Sequence, residues 1–449
     1  MTATMTDELV ARRRAIEALR SGVPSWDAVA LLGSGQPEAE DRFAELLDQV
    51  RQPGRPGGRP SCGLLLGGGF GTGKSHLLTH LGHLASSSDF VVSTVVISKE
   101  TPLHDPVKTF RAAIGGAVDP GRIRGVLADA AASLEPDTAR YAEFSRWVNS
   151  PASDLDERFR ATLLLHERMR GGEVTGSDET VEALVRFWGG EPLRVGDLRR
   201  ALKSVGAAGL FSFAPVHAAE LARQRFRFVA RLLRAAGRTG WVILFDEVEL
   251  IGRYTVLQRG KSYAELARWL GGWVAGPELP LVSVLAMTDD FEAAVLSGGG
   301  NAGAGKPVSK AGAGKDDRNL LPAKLRAKQS ADWDDTAALA EAGMRHIEHD
   351  MLILEPPDDA ELDRAYMTLR QLHADAFSWA PPDVAGLERL GATRMRQYVR
   401  AWINEWDLVR LDPAFRPETV AADIASDYRE DAALESQTAD DELGGSDQA

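Results

Sequence analysis

The chain has 449 residues, 44% hydrophobic and 26% charged, enough apolar material for a large core and far from a disordered composition. Lysine and arginine supply 52 positive charges against 65 from aspartate and glutamate; the formal net of −13 argues against a generally basic, phosphate-coating protein. The single cysteine, Cys62, excludes an intramolecular disulfide and a multi-cysteine zinc site; with no signal-like N-terminus and no apolar run near the ~20 residues of a membrane span, a soluble cytoplasmic protein is expected.

In chain order, residues 7–20 predict a charged amphipathic helix and 38–50 a second, with Phe43, Leu46, Leu47 and Val50 on one face. The turn Leu32-Gly33-Ser34-Gly35-Gln36-Pro37-Glu38 leads into the second helix; Pro37 suits its first turn and Glu38 its positive N-terminus. A Gly/Pro/Arg linker, 52–60, precedes a change of texture. Cys62 to Leu66 and Phe90 to Ile97 read as buried strands flanking a helical pattern at 74–84, a βαβ unit that predicts a parallel sheet covered by helices. From about 110 to 220 the texture is helical. Strand signals return at Trp241–Phe245, Leu281–Met287 and, more weakly, Met351–Leu354, closed by Pro356 and Pro357. Residues 297–315 are low-complexity Gly/Ala/Lys and read as a flexible surface loop. Helices resume at 358–374 and 391–408. Residues 427–449 hold eight acids and one arginine, a net of −7, and read as a disordered acidic tail. No internal repeat is evident.

The strongest motif is Gly68-Gly69-Phe70-Gly71-Thr72-Gly73-Lys74-Ser75, which matches G-x-x-x-x-G-K-[ST] between a strand and a helix. Glycines let successive backbone N–H groups close around a triphosphate, and the following helix N-terminus adds positive potential. Lys74 would reach the β- and γ-phosphates, and Ser75 would coordinate Mg²⁺. The strand Trp241–Phe245 delivers Asp246 and Glu247 to its C-terminal end, where ligands bind in open α/β sheets. There Asp246 would hold the Mg²⁺ shell and Glu247 would activate a water for attack on the γ-phosphate. Glu249 is read as structural or supporting. The 172 residues between Lys74 and Asp246 far exceed a minimal nucleotide domain, so the helical block is an insertion. Thr288, ending the next strand, is either a γ-phosphate sensor or a helix cap. Arg394, a cation at a helix start, is a candidate phosphate contact against a surface salt bridge.

In this order of parts the chain resembles the AAA+ class of P-loop ATPases, specifically its origin-recognition branch: the loop at Lys74, the Asp246-Glu247 strand, a sensor-1 position at Thr288, and a sensor-2 position in Gly391-x-x-Arg394. Gly33 to Glu38, with Gly35 and Gln36, looks like the segment such proteins place against adenine, and His76 follows the phosphate loop beside it. More closely, ISKETPLHDP (97–106), LFDEVELIGRY (244–254) and LGSGQPEAEDRF (32–43) resemble the BrxD-like ATP-binding proteins of bacterial phage-exclusion (BREX) gene clusters. The resemblance, from about residue 10 to 412, implies ATP and Mg²⁺ as cofactors, other defence-system proteins as partners, and a role in antiviral defence. The class implies an arginine finger acting across a homo-oligomer; Arg326 is the first choice and Arg345 the second. No winged-helix domain is evident after the lid, which weighs against origin binding.

Weaker signals have plainer readings. Arg223, Arg227, Arg231, Arg234 and Arg238 recur at helical spacing, either as a solvated face or as a basic stripe for DNA phosphates, an acidic partner or a neighbouring subunit. His76, His80 and His83 share a helix without accompanying carboxylates, which disfavours a metal site. Cys62 reads as a small core residue. The expectation is therefore an α/β P-loop NTPase, AAA+-like, with a parallel sheet, helices on both faces, a helical insertion and a C-terminal helical lid. The boundaries are 1–60 for the N-terminal helical segment with its adenine-side loop, 61–110 and 220–356 for the core, 111–219 for the insertion and 357–412 for the lid. The functional expectation is a Mg²⁺-dependent ATPase working as a nucleotide-driven switch; the rivals are a nucleotide-stabilised scaffold with little turnover and a DNA-loading ATPase.

Overall fold

The computed structural model describes residues 2–22, 25–52, 63–69, 71–119, 125–170, 178–273, 279–297, 316–384 and 395–415. The linker after Gln52, Cys62, Phe70, residues 298–315, Gly391 to Arg394 and the 427–449 tail lie outside the described residues.

The strands are β1 (Gly63–Gly67), β2 (Phe90–Val96), β3 (Ala117–Val118), β4 (Gly240–Asp246), β5 (Leu281–Met287) and β6 (Leu352–Ile353). They form one sheet in the order β3-β2-β4-β5-β1-β6, parallel throughout except for the short edge strand β3. β5 thus lies between the strand that feeds the phosphate loop and the strand that ends in Asp246. The strands are near-continuous apolar runs because helices cover both faces.

The helices are α1 (Thr2–Ser21), α2 (Trp26–Leu32) and α3 (Pro37–Arg51) before the sheet, then α4 (Lys74–Ser87) and α5 (Pro106–Gly115). The long helical stretch supplies α6 (Val126–Ala132), α7 (Ala139–Val148), α8 (Glu157–Arg170), α9 (Asp178–Trp188), α10 (Val195–Ser204) and α11 (Ala218–Ala235). After β4 come α12 (Val256–Ala267), α13 (Asp317–Arg326), α14 (Ala331–His349), α15 (Asp359–Phe377) and α16 (Met395–Leu411).

Strand alternation sorts side chains between two layers. Val92, Val242, Leu244, Val282 and Val284 join Phe43, Leu47, Leu77 and Leu81 of α3 and α4. On the other face Val91, Trp241, Ile243, Phe245 and Leu285 join α11, α12 and the base of the helical block, including Phe144, Phe159 and Trp188. Ser93 and Ser283 share this apolar face, flanking Ile243 in register. Both are satisfied: Trp241 Nε1 donates to Ser93 Oγ at 2.8 Å, and Ser283 Oγ donates to the Trp269 carbonyl at 2.6 Å. Farther out, Ala161, Leu165, Leu184, Leu198 and Leu202 form a second small core of the helical block. Arg225 ties that block to α11: its buried guanidinium donates through Nε to the Phe187 carbonyl at the end of α9, 2.9 Å away.

The N-terminal segment divides between two layers. Whereas α3 lies on the sheet, α1 joins the C-terminal helices, with Ile16 and Leu19 among Leu369, Trp402, Ile403 and Trp406. A polar chain seals this contact. Trp379 Nε1 donates to His373 Nδ1 at 2.8 Å, which leaves the proton of the buried imidazole on Nε2, facing Asp407 Oδ1 at 3.1 Å. Arg20 of α1 reaches the other carboxylate oxygen of Asp407 at 3.0 Å. Although burial opposes it, His373, Arg20 and Arg410 together hold the Asp407 carboxyl below its ordinary range.

Candidate functional site

The phosphate loop leaves β1 at the C-terminal edge of the sheet and runs into α4, whose N-cap Gly73 has φ 102°, a left-handed backbone that favours glycine. Its start is pinned from both neighbouring strands. Gly68 N donates to the Met287 carbonyl at 3.1 Å, and Leu354 N donates to the Gly67 carbonyl at 2.7 Å. Inside the loop Thr72 Oγ1 donates to the Gly69 carbonyl at 2.9 Å. Lys74, almost wholly buried, donates through Nζ to the carbonyls of Gly68 (2.6 Å) and Gly69 (3.0 Å). Burial pushes its ammonium down from the ordinary lysine value; Glu249, Asp246 and Asp289 pull it back up, and Arg396 pushes it down.

β4 delivers the two carboxylates to the same edge. Asp246 Oδ1 accepts from the Glu247 N–H at 2.9 Å, and Glu247 itself is exposed with φ 57°, a left-handed conformation unusual for a residue with a Cβ. Although the residue is exposed overall, partial desolvation of its carboxylate and the charge of Asp246 raise the Glu247 pKa, against the pull of Lys74 and Arg396. Thr288 is buried directly after β5, next to the residue whose carbonyl holds Gly68. Ser75 opens α4 beside Lys74.

Glu249, read from the sequence as structural or supporting, sits in a different environment from Glu247. It is buried, its Oε2 has no hydrogen-bond partner, and burial pushes its carboxyl up to about 7, against the pull of Lys74 and with the help of Asp246 and Glu247. Because the folded value lies above the ordinary 4.5, stability is full below about pH 4.5 and is lost as pH rises toward 7, a change of about 3 kcal/mol from this group alone. Glu249→Gln is expected to flatten that slope, read from urea-unfolding midpoints at pH 5, 6 and 7.5. A slope unchanged in the variant would mean that Glu249 titrates normally.

A cavity of about 340 Å³ opens beside the phosphate loop. Thr72, Gly73 and His76 line one side, Gly33 to Gln36 another, and Glu361, Arg364, Ala365, Met395 and Arg396 of the C-terminal helices a third. Leu19 and Gly22 reach it from the end of α1. Gly35 and Gln36 therefore do face this space, but the Gln36 amide is committed elsewhere. Its Nε2 donates to the Glu355 carbonyl at 2.9 Å and its Oε1 accepts from Glu355 N at 3.1 Å, clamping the turn to the segment after β6. His76 Nε2 meets the Gly33 carbonyl at 2.7 Å and so carries the proton; burial lowers the His76 pKa. Arg394 lies outside the described residues, whereas Arg396, two positions on, lines the cavity and acts electrostatically on both Lys74 and Glu247. The same signal that drew attention to Arg394, a cation at a helix start, applies to Arg396.

Other sequence candidates lie elsewhere. Arg326 pairs with Glu341 at 2.8 Å, joining α13 to α14, and Arg345 is exposed on α14; neither lines the cavity. His80 pairs with Glu40 at 3.1 Å, and the His83 ring meets Trp26 edge-on.

The arginine stripe is corrected: its members turn inward. Arg223 binds Glu265 at 2.8 Å, and Arg227 is buried, donating to the carbonyls of Ser153 (3.1 Å) and Asp154 (3.0 Å). Arg231 stacks 4.1 Å from the centre of the Trp147 ring, Arg234 donates to the Val50 carbonyl, and Arg238 pairs with Asp89 and Asp119, each at 2.7 Å. Helical spacing marks one face but not what covers it: the helical block covers Arg227 and Arg231, while Glu265, Val50, Asp89 and Asp119 engage the others. Arg227→Ala is accordingly expected to cost about 2–3 kcal/mol of stability, measured by urea denaturation, and to leave duplex-DNA mobility shifts unchanged. A DNA-binding defect in a fully stable variant would contradict the inward reading.

No helix among the described residues is long and apolar enough to cross a membrane. No curated protein and no solved structure matches the chain. Over residues 10–116, which hold α3, the Gly33–Gln36 turn, the phosphate loop and the 97–106 string, the chain matches the family model described as BREX system ATP-binding protein BrxC/D.

Proposed function

We propose that the chain is an AAA+-like ATPase that binds ATP with Mg²⁺ and uses it as a switch within a multi-protein phage-exclusion system, alongside other proteins of that system. The observation that carries the reading is a juxtaposition. The Gly68–Ser75 loop, the Asp246-Glu247 strand end and the cavity lined by Arg396 meet at one edge of the sheet. The phosphates would lie on the loop N–H groups with Lys74 released from the Gly68 and Gly69 carbonyls to reach them, and the nucleoside would fill the cavity.

The donors present suit a hard divalent cation. Ser75 offers a hydroxyl and Asp246 a carboxylate with one oxygen beyond its bond to the Glu247 N–H. These two residues would hold Mg²⁺, which when bound neutralises developing charge on the phosphates. Glu247, the more exposed acid, would orient a water and take its proton, while Thr288 and Arg396 would contact the γ-phosphate, Arg394 remaining a second candidate. Because α1 and the C-terminal helices share one apolar cluster, a lid drawn in by Arg396 would carry α1 with it and change the surface shown to partners.

The test is phosphate release by the purified chain with Mg²⁺ and ATP, with and without duplex DNA. Turnover is expected. Tight ATP binding with no turnover in either condition would favour the scaffold reading, and turnover that requires DNA would favour a DNA-loading ATPase.

A further inference from the structure

The nucleoside end of the cavity contains one carboxylate among its described lining residues, Glu361, and no role has been given to it. Two observations describe how that group is placed. First, Gly35, whose φ of +68° favours glycine, sits directly against it: a Cβ built there would fall 1.4 Å from Glu361 Oε1, so a larger residue would push the carboxylate from its present place. Second, the side chain is anchored at its base. Asp358 caps α15 by accepting from Glu361 N at 2.7 Å, and the Asp358 backbone faces the Glu361 carboxylate closely enough to favour its charged form. A carboxylate has about four lone-pair positions, so this placement leaves acceptor capacity for the cavity.

Glu361 is the one charged acceptor among the described lining residues; the Ser34, Thr72 and Thr368 hydroxyls are neutral, and two other polar side chains are engaged elsewhere. Gln36 is bound to the Glu355 backbone and His76 to the Gly33 carbonyl. Arg364 and Arg396 are donors only, suited to phosphate rather than to hydroxyl or amino hydrogens.

We propose that Glu361 is a specificity-determining residue that accepts a hydrogen bond from the nucleoside half of the bound triphosphate. The inference rests on the nucleotide reading above. Two parts of ATP offer such a donor, a ribose hydroxyl and the 6-amino group, and both present the same chemistry to a carboxylate.

The experiment measures equilibrium binding of ATP, 2′-deoxy-ATP, 3′-deoxy-ATP and purine riboside triphosphate, which lacks the 6-amino group, to the full chain with Mg²⁺. It compares the wild-type protein with Glu361→Ala and Glu361→Gln; the amide keeps an acceptor oxygen. In the wild type one analogue is expected to bind about ten-fold or more weakly than ATP, the loss typical of a hydrogen bond to a charged group. That gap should close to about two-fold or less in Glu361→Ala and keep an intermediate size in Glu361→Gln. A deoxy analogue as the weak binder identifies the ribose, and the purine riboside identifies the amino group. Equal gaps in all three proteins would overturn the proposal and reduce Glu361 to a structural residue at the helix start, a role that lowers the melting temperature of Glu361→Ala without altering analogue preference. Failure of the wild type to bind any of the four would instead overturn the nucleotide reading, and this inference with it.

Discussion

Glu247→Gln is expected to lower ATP turnover by about 10²- to 10⁴-fold while leaving ATP binding within a few-fold of wild type. The substitution keeps size and hydrogen bonding but removes the proton acceptor. Glu247 is suited to that role in this fold: it follows the last residue of β4, it is more exposed than the buried Glu249, and its left-handed backbone turns the chain at the sheet edge. Partial desolvation and Asp246 raise its pKa, in the direction that makes a carboxylate a better base, while Lys74 and Arg396 oppose the shift. Single-turnover phosphate release separates this loss from product dissociation. If Glu247→Gln turns over normally while Glu249→Gln does not, the base has been misassigned and the buried acid facing Lys74 takes its place.

Asp317→Ala should cost about 3–5 kcal/mol of folding stability, the range for breaking one side of a buried ion pair. Asp317 sits in the first turn of α13 and is buried; Arg259 of α12 approaches it with both Nε and Nη2, each at 2.7 Å, and Tyr263 Oη donates to it at 2.8 Å. Arg259 also donates through Nη1 to the Tyr254 carbonyl at 2.7 Å, so it locks the segment following the Asp246-Glu247 strand end. Removing the carboxylate strands a guanidinium in the core and leaves the fully buried Tyr263 hydroxyl without this partner. The urea midpoint should fall sharply. The double variant Arg259→Met with Asp317→Leu should recover much of the loss, because a packed apolar pair carries no uncompensated charge. A mild single variant would mean that water reaches this network.

The strands are legible because burial on both faces leaves near-continuous apolar runs: the Leu281–Met287 signal coincides with β5, and β4 extends the Trp241–Phe245 run by one residue at each end. The Gly68–Ser75 motif stands out in the sequence because phosphate binding asks for glycines and a Lys-Ser pair at fixed spacing. The edge strand β3, two residues long and antiparallel, carries no period for a sequence to display. The arginine stripe misled because a helix shows which residues share a face and not what covers it; Trp147, Glu265 and the Asp154 carbonyl arrive from distant positions. The same limit hid the cavity. Glu361 and Arg396 come from helices more than 300 residues from Gly35 in the chain, and only their packing with α1 brings these parts together. Glu249 differs from Glu247 by two residues and by burial, and burial is a tertiary property.

The most direct measurement is calorimetric titration of MgATP into the wild-type chain and into Lys74→Ala. Removing the buried ammonium that faces Glu249 and Asp246 deletes the one cation within the phosphate loop. The expected result is saturable 1:1 binding by the wild type, weakened by about 100-fold or more in a variant that remains folded by circular dichroism, consistent with the loss of a desolvated charge contact. Equal affinity in the two proteins, or no binding by the wild type, would contradict a nucleotide site on this loop.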